Sequence, residues 1–99
     1  MKQVWVGMLE VSQIPGDQLI QLRQGAAFAW FTCWADSPES YEQKAAEVML
    51  HYGLNVIGAE QVSSASDRTQ SGEELLEQIR RTGESETHSL YGTFHGYPP

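Results

Sequence analysis

Cysteine and basic residues are scarce in this sequence, and each scarcity excludes a class of protein. Cys33 is the single cysteine among 99 residues, so no internal disulfide stabilises the fold. Only 6 lysines and arginines stand against 13 acidic residues, which gives a formal net charge of −7. Phosphate backbones and anionic membrane surfaces require clustered positive charge, so we expect no nucleic-acid partner and no membrane partner. The acidic surface either keeps the protein in solution or attracts a basic partner.

Long hydrophobic runs are also missing. The longest apolar run covers residues 26–31, far short of the roughly 20 residues that span a bilayer. The N-terminus alternates polar and apolar residues and lacks the continuous apolar segment of a secretory signal. We therefore expect a cytoplasmic protein whose thiol stays reduced. Hydrophobic residues make up 40 % of the chain, which is typical of a single globular domain over residues 1–99.

Motifs for nucleotide binding, serine hydrolysis and zinc proteolysis are absent from the sequence. His88 and His95 bracket the last predicted strand, but a regular strand would place them on opposite faces. No pair of histidines or cysteines has the spacing of a zinc site. We predict no catalytic residue, no metal and no cofactor.

Alternating and helical hydrophobic periods predict six secondary-structure elements. In chain order these are strands over 4–11 and 26–35, a helix from Pro38 to the residue before Gly53, a strand over 54–62, a helix over 72–82, and a short strand within the C-terminal segment 84–99. Between the third strand and the second helix, a polar and mobile loop is expected over 63–71.

The predicted element order is β-β-α-β-α-β, which places the chain in the α+β class. A strand, a helix and a strand with short joins are typical of a parallel crossover, so a mixed four-stranded sheet is expected. The simplest packing puts both helices on one face of that sheet, as a two-layer sandwich. This element count resembles that of the ferredoxin-like sandwiches, whose usual order is βαββαβ; the resemblance concerns the fold and implies no function.

The second strand has two unlike faces. One parity carries mostly small side chains, Ala27, Ala29, Phe31, Cys33 and Ala35, and the other carries Phe28, Trp30, Thr32 and Trp34. A helix can pack closely on the small face, whereas the aromatic face needs another cover. That cover is either a protein partner or the chain's own 12–25 connection and C-terminal tail.

The first functional hypothesis follows from the aromatic face. It describes a small acidic protein-interaction or accessory module that self-associates as a homodimer or binds another protein. The predicted partner-binding residues are Phe28, Trp30, Trp34 and Tyr91.

The alternative is a small enzyme or ligand-binding domain with a pocket near the strand ends. Its candidate residues are Cys33, His95, Glu10 and Glu60. Three of the four also have a structural explanation. Cys33 lies in an apolar strand, as a buried structural thiol would, and the two glutamates suit strand edges that face water.

Overall fold

The computed structural model describes residues 1–16, 22, 25–68 and 72–96. It shows an α+β fold of one sheet and two helices, as the sequence predicts. The elements are β1 Gln3–Gln13, β2 Ala26–Ala35, α1 Pro38–His51, β3 Leu54–Ser64, a 3₁₀ turn Ala65–Asp67, α2 Glu73–Gly83 and β4 Ser89–Tyr91. The segment expected as a loop over 63–71 therefore contains the end of β3 and the 3₁₀ turn, and residues 69–71 lie outside the described part.

The sheet has the strand order β3-β1-β2-β4, and every neighbouring pair is antiparallel. The prediction of a mixed sheet is therefore wrong. β2 and β3 do run in the same direction, as a crossover requires, but β1 lies between them and pairs with both. The strand order also differs from a ferredoxin-like one, because β1 and β2 pair directly along almost their whole length.

Helix α1 packs on the small-residue face of β2, as predicted. Ser37 caps it by accepting a hydrogen bond from the Ser40 amide (3.1 Å), and Pro38 occupies the first turn. The helix buries one stripe against the sheet: Tyr41, Ala45 and Met49. Alanine side chains on β2 leave room for this stripe, and only the Phe31 ring projects into it, 5.8 Å from the Tyr41 ring.

Helix α2 packs on the opposite face, so the prediction of two helices on one face is wrong. Thr32 neighbours Phe31 in β2 and therefore points to the other side of the sheet. Its hydroxyl is 2.7 Å from that of Thr82 in α2. The fold therefore has three layers: α1, the sheet and α2. Both sheet faces need a helix because the central strand β1 buries Val6 on one face and Leu9 on the other. Each face requires its own cover.

Gly7 of β1 allows α1 to approach the sheet closely. A Cβ at this position would lie 2.8 Å from the Tyr41 hydroxyl oxygen and 2.9 Å from Cγ2 of Val62. In the space that Gly7 leaves, the Tyr41 hydroxyl crosses to β2 and donates to the Phe31 carbonyl (2.8 Å). This buried hydrogen bond ties α1 to the centre of the sheet.

Candidate functional site

The predicted partner-binding residues do not share one face. Phe28, Trp30 and Trp34 alternate along β2 on the side that faces α2, and all three are half-buried. Tyr91 pairs with Phe31 and so lies on the α1 side. There its ring contacts Tyr52 (5.5 Å between centroids) at the end of α1. The aromatic face is thus formed by the three β2 residues.

Helix α2 covers part of this aromatic face through polar contacts. The Trp34 indole nitrogen donates to the Thr82 carbonyl (2.8 Å) near the end of the helix. One turn earlier, Gln78 Nε2 donates to Thr32 Oγ1 (3.2 Å). The Thr82 hydroxyl donates to the Gln78 carbonyl (2.9 Å), so in its 2.7 Å contact with Thr32 the Thr82 Oγ1 atom is the acceptor and the Thr32 hydroxyl the donor. The three residues therefore form a closed ring of hydrogen bonds between helix and sheet, which we call the threonine ring.

The residues proposed for a small-ligand site do not converge. Glu10 and His95 both lie opposite Phe28, but on different neighbours of β2, so Phe28 separates them. Glu60 lies opposite Met8 on β3, at the other side of the sheet from His95. These three share the α2 face, whereas Cys33 belongs to the α1 face and is buried.

Cys33 has the environment of a structural thiol. Its side chain lies in the hydrophobic core under α1, with no exposed surface. Burial raises the pKa of the thiol to about 11, although the nearby Lys44 ammonium acts in the opposite direction. A thiol without access to solvent and without thiolate character at neutral pH is a poor nucleophile.

The buried Cys33 thiol makes stability fall at alkaline pH. The folded state keeps a proton that the unfolded chain releases near pH 9, because the pKa rises from 9.0 to about 11 on folding. The free energy of unfolding should therefore hold up to about pH 9 and then fall by roughly 2 kcal/mol as the pH approaches 11. Urea unfolding of the wild type and of Cys33→Ala at a series of pH values measures this.

The Cys33→Ala variant should show a shallower fall over the same pH range. A smaller fall is expected to remain, because burial also raises the pKa of Tyr41. Identical pH profiles for the two proteins would show that the thiol is not protected in the folded state.

A cleft opens on the aromatic face beside the first turns of α2. It has a volume of about 270 Å³, and we call it the Trp30 cleft. The side chains that line it are Trp30, Arg68, Glu74, Leu75, Gln78, Thr93 and His95. A second cavity of about 240 Å³ continues along α2 and shares Glu74, Gln78 and Gly92 with the first. Of the residues proposed from sequence, Trp30 and His95 belong to this site.

Gln78 is the deepest polar group of the Trp30 cleft, with 8 % of its surface exposed. Its Nε2 lies 3.2 Å from the Trp30 carbonyl and 3.0 Å from the Leu90 carbonyl. Two carbonyl acceptors require a donor, so they fix which way the amide points. The Oε1 atom then faces Gly92, where it accepts no hydrogen bond from any residue that the structure describes.

Two opposite charges border the Trp30 cleft. The Arg68 guanidinium lies over the Trp30 ring, 4.8 Å from its centroid. On the other side, the Glu74 carboxylate accepts a hydrogen bond from the Thr93 hydroxyl (2.9 Å). An aromatic ring, a carboxylate and the Gln78 amide oxygen together form a surface that accepts hydrogen bonds and positive charge.

Sequence reasoning missed Glu74, Gln78 and Thr93. The large apolar residues of α2 are Leu75, Leu76 and Ile79, yet the buried residues of the helix are Leu75, Gln78 and Thr82. Leu76 is 54 % exposed. The spacing of Leu75, Gln78 and Thr82 is that of one helix face, which was the available signal.

Among the residues that the structure describes, no three His, Cys, Asp or Glu side chains are grouped in a way that could hold a metal ion. Within that same part of the chain, no helix has the length and apolar character needed to cross a membrane. No protein-family model matches the sequence, and neither a curated protein nor a solved structure matches it.

Proposed function

We propose that this chain is a small acidic protein-interaction module that holds a side chain of its partner in the Trp30 cleft. The observation that supports this most directly is the Gln78 amide oxygen. It belongs to a side chain that is almost fully buried, it is fixed in orientation, and it faces the cleft without a donor among the described residues. The Oε1 atom borders the open cleft, so a donor bound there would replace water at an acceptor whose direction the protein has already fixed.

The size of the cleft favours a side chain over a larger ligand. Its volume of about 270 Å³ lies below the range of roughly 300–1,000 Å³ that is usual for drug-sized molecules. Trp30 gives the site a half-buried aromatic wall, and tryptophan is among the residues most enriched in the energetic centres of protein interfaces.

The net charge of −7 adds long-range attraction toward a basic partner. We propose the cytoplasm as the compartment in which this interaction takes place, since a reduced Cys33 suits it. Self-association through the aromatic face remains a prediction, and a second copy of the chain is one possible partner. Sedimentation at several protein concentrations tests this directly.

Selection of binding peptides tests the proposed function. A library of random peptides displayed on phage is selected on the wild-type protein, and the enriched peptides are titrated against three proteins. Thr93→Tyr places a ring at the mouth of the cleft from an exposed position, and Leu50→Ala is the control on an exposed position of α1. The enriched peptides should shift the Trp30 indole N–H resonance of the wild type and of Leu50→Ala, and should bind Thr93→Tyr at least about tenfold more weakly.

Two results would contradict the proposal. One is a selection that yields no peptide above background. The other is a set of enriched peptides that bind Thr93→Tyr as tightly as the wild type, which would place recognition elsewhere on the surface.

A further inference from the structure

We infer that the partner side chain held in the Trp30 cleft is a cation, an arginine or a lysine, and that Arg68 occupies its position in the free protein. This inference rests on the proposed function and adds the chemistry of the ligand. It also assigns Arg68 the role of an internal competitor that the partner must displace.

The aromatic wall of the cleft already holds a guanidinium. The Cζ atom of Arg68 is 4.8 Å from the centre of the Trp30 ring, within the roughly 6 Å at which a cation is attracted by the face of an aromatic ring. The same guanidinium also donates from Nη1 to the Gln61 carbonyl (3.4 Å). The stacked position is thus suited to a planar cation and is filled by a side chain that follows directly on the 3₁₀ turn.

The opposite wall accepts hydrogen bonds and offers few donors. The point where a Cβ of Gly92 would lie is 2.8 Å from Gln78 Oε1 and 3.9 Å from Glu74 Oε1, so both acceptor oxygens border Gly92. Both hydrogens of the Gln78 amide are directed to the sheet. A ligand that reaches this wall must therefore donate, and arginine and lysine side chains are donors only.

The charges that border the two cavities favour replacement of Arg68 by a cationic side chain of the partner. Arg68 and Glu74 line the Trp30 cleft with opposite charges, and the adjoining cavity adds Glu77 and Arg81. Glu77 is itself paired with Arg80. When Arg68 leaves the ring, the cleft keeps the negative charge of Glu74, which a partner's cation would balance. An anionic ligand would instead meet Glu74 without compensation.

Small amino-acid amides test the inference. The probes are the Nα-acetyl amides of arginine, of citrulline, which has nearly the same shape without the charge, and of glutamate. Binding is followed by the Trp30 indole N–H resonance in the wild type, Arg68→Gln and Lys2→Gln. Lys2 is exposed near the start of β1, so this variant makes the same change in net charge at another place. The wild type should bind the arginine amide and bind citrulline amide at least about fivefold more weakly.

Arg68→Gln should bind the arginine amide about fivefold more tightly than the wild type, because the competitor is gone, whereas Lys2→Gln should stay within about twofold. Three results would overturn the inference: binding of the glutamate amide that is lost in Arg68→Gln, equal binding of arginine and citrulline amides, or no shift with any probe. If the peptides selected on the wild type bind at the cleft but contain no basic residue, the proposed function stands and the cation inference fails.

Discussion

Replacing Gly7 with alanine is expected to lower the free energy of unfolding by about 3 kcal/mol. The new Cβ would lie 2.8 Å from the Tyr41 hydroxyl oxygen and 2.9 Å from Val62 Cγ2, distances at which neighbouring atoms must move. Tyr41 has no room to move, because it is fully buried and its hydroxyl is bonded to the Phe31 carbonyl. Urea unfolding monitored by tryptophan fluorescence measures the loss.

Gly58→Ala is the matched control for this substitution. Gly58 also lies in a strand of the sheet, but the nearest atom to its Cβ position is 3.7 Å away, an ordinary contact. Its substitution should change the free energy of unfolding by less than about 1 kcal/mol. Tyr41→Phe alone should cost about 1 kcal/mol through the lost hydrogen bond. In combination with Gly7→Ala it should restore part of the stability, and a Gly7→Ala protein as stable as Gly58→Ala would refute the tight approach of α1.

The sequence predicted the elements whose signals are local. Strand β2 has the predicted bounds, because its alternation of small and aromatic side chains is complete within one segment. Helix α1 begins at the predicted cap, where Ser37 binds the Ser40 amide, and its buried stripe follows the helical period. The assignment of α1 to the small face of β2 was also correct, because small side chains permit close approach.

The arrangement of these elements was not predictable in the same way. Hydrophobic periodicity shows that β1 has apolar residues on both faces, but it does not show which helix covers which face. Helix α2 docks through Gln78 and Thr82, whose polar side chains are stabilised only once Thr32 is present as a partner. Of the apolar residues of this helix only Leu75 is buried, and hydrophobic patterning gave no sign of Gln78 and Thr82.

The candidate site was predictable only in part. Trp30 and His95 were predicted as site residues because the sequence itself shows an aromatic strand face and a histidine near a strand end. The remaining walls come from segments far apart in the chain, since 48 residues separate Gln78 from the Trp30 carbonyl that it binds. No local signal indicates that a helical glutamine will cross to that strand.

Removing one hydroxyl from the threonine ring is expected to cost about 2 kcal/mol of unfolding free energy. Thr82→Val and Thr32→Val each keep the shape of the side chain, so no cavity is created and the loss reflects hydrogen bonding. Both residues are fully buried, so the partners left behind have no access to water. Urea unfolding of the two single variants and of the double variant provides a double-mutant cycle.

The double variant should be more stable than the sum of the single losses implies, by about 1 kcal/mol or more. The reason is that each hydroxyl of the ring both accepts and donates a hydrogen bond. Removing one hydroxyl therefore already breaks the series of hydrogen bonds to which the other hydroxyl belongs. Thr87→Val is the control, because Thr87 is exposed and bonded only within its own turn, and its loss should be below about 0.5 kcal/mol. Strictly additive losses at Thr32 and Thr82 would mean that α2 is held by independent contacts. In that case the orientation of the Gln78 amide, on which the Trp30 cleft depends, would rest on the carbonyls of Trp30 and Leu90 alone.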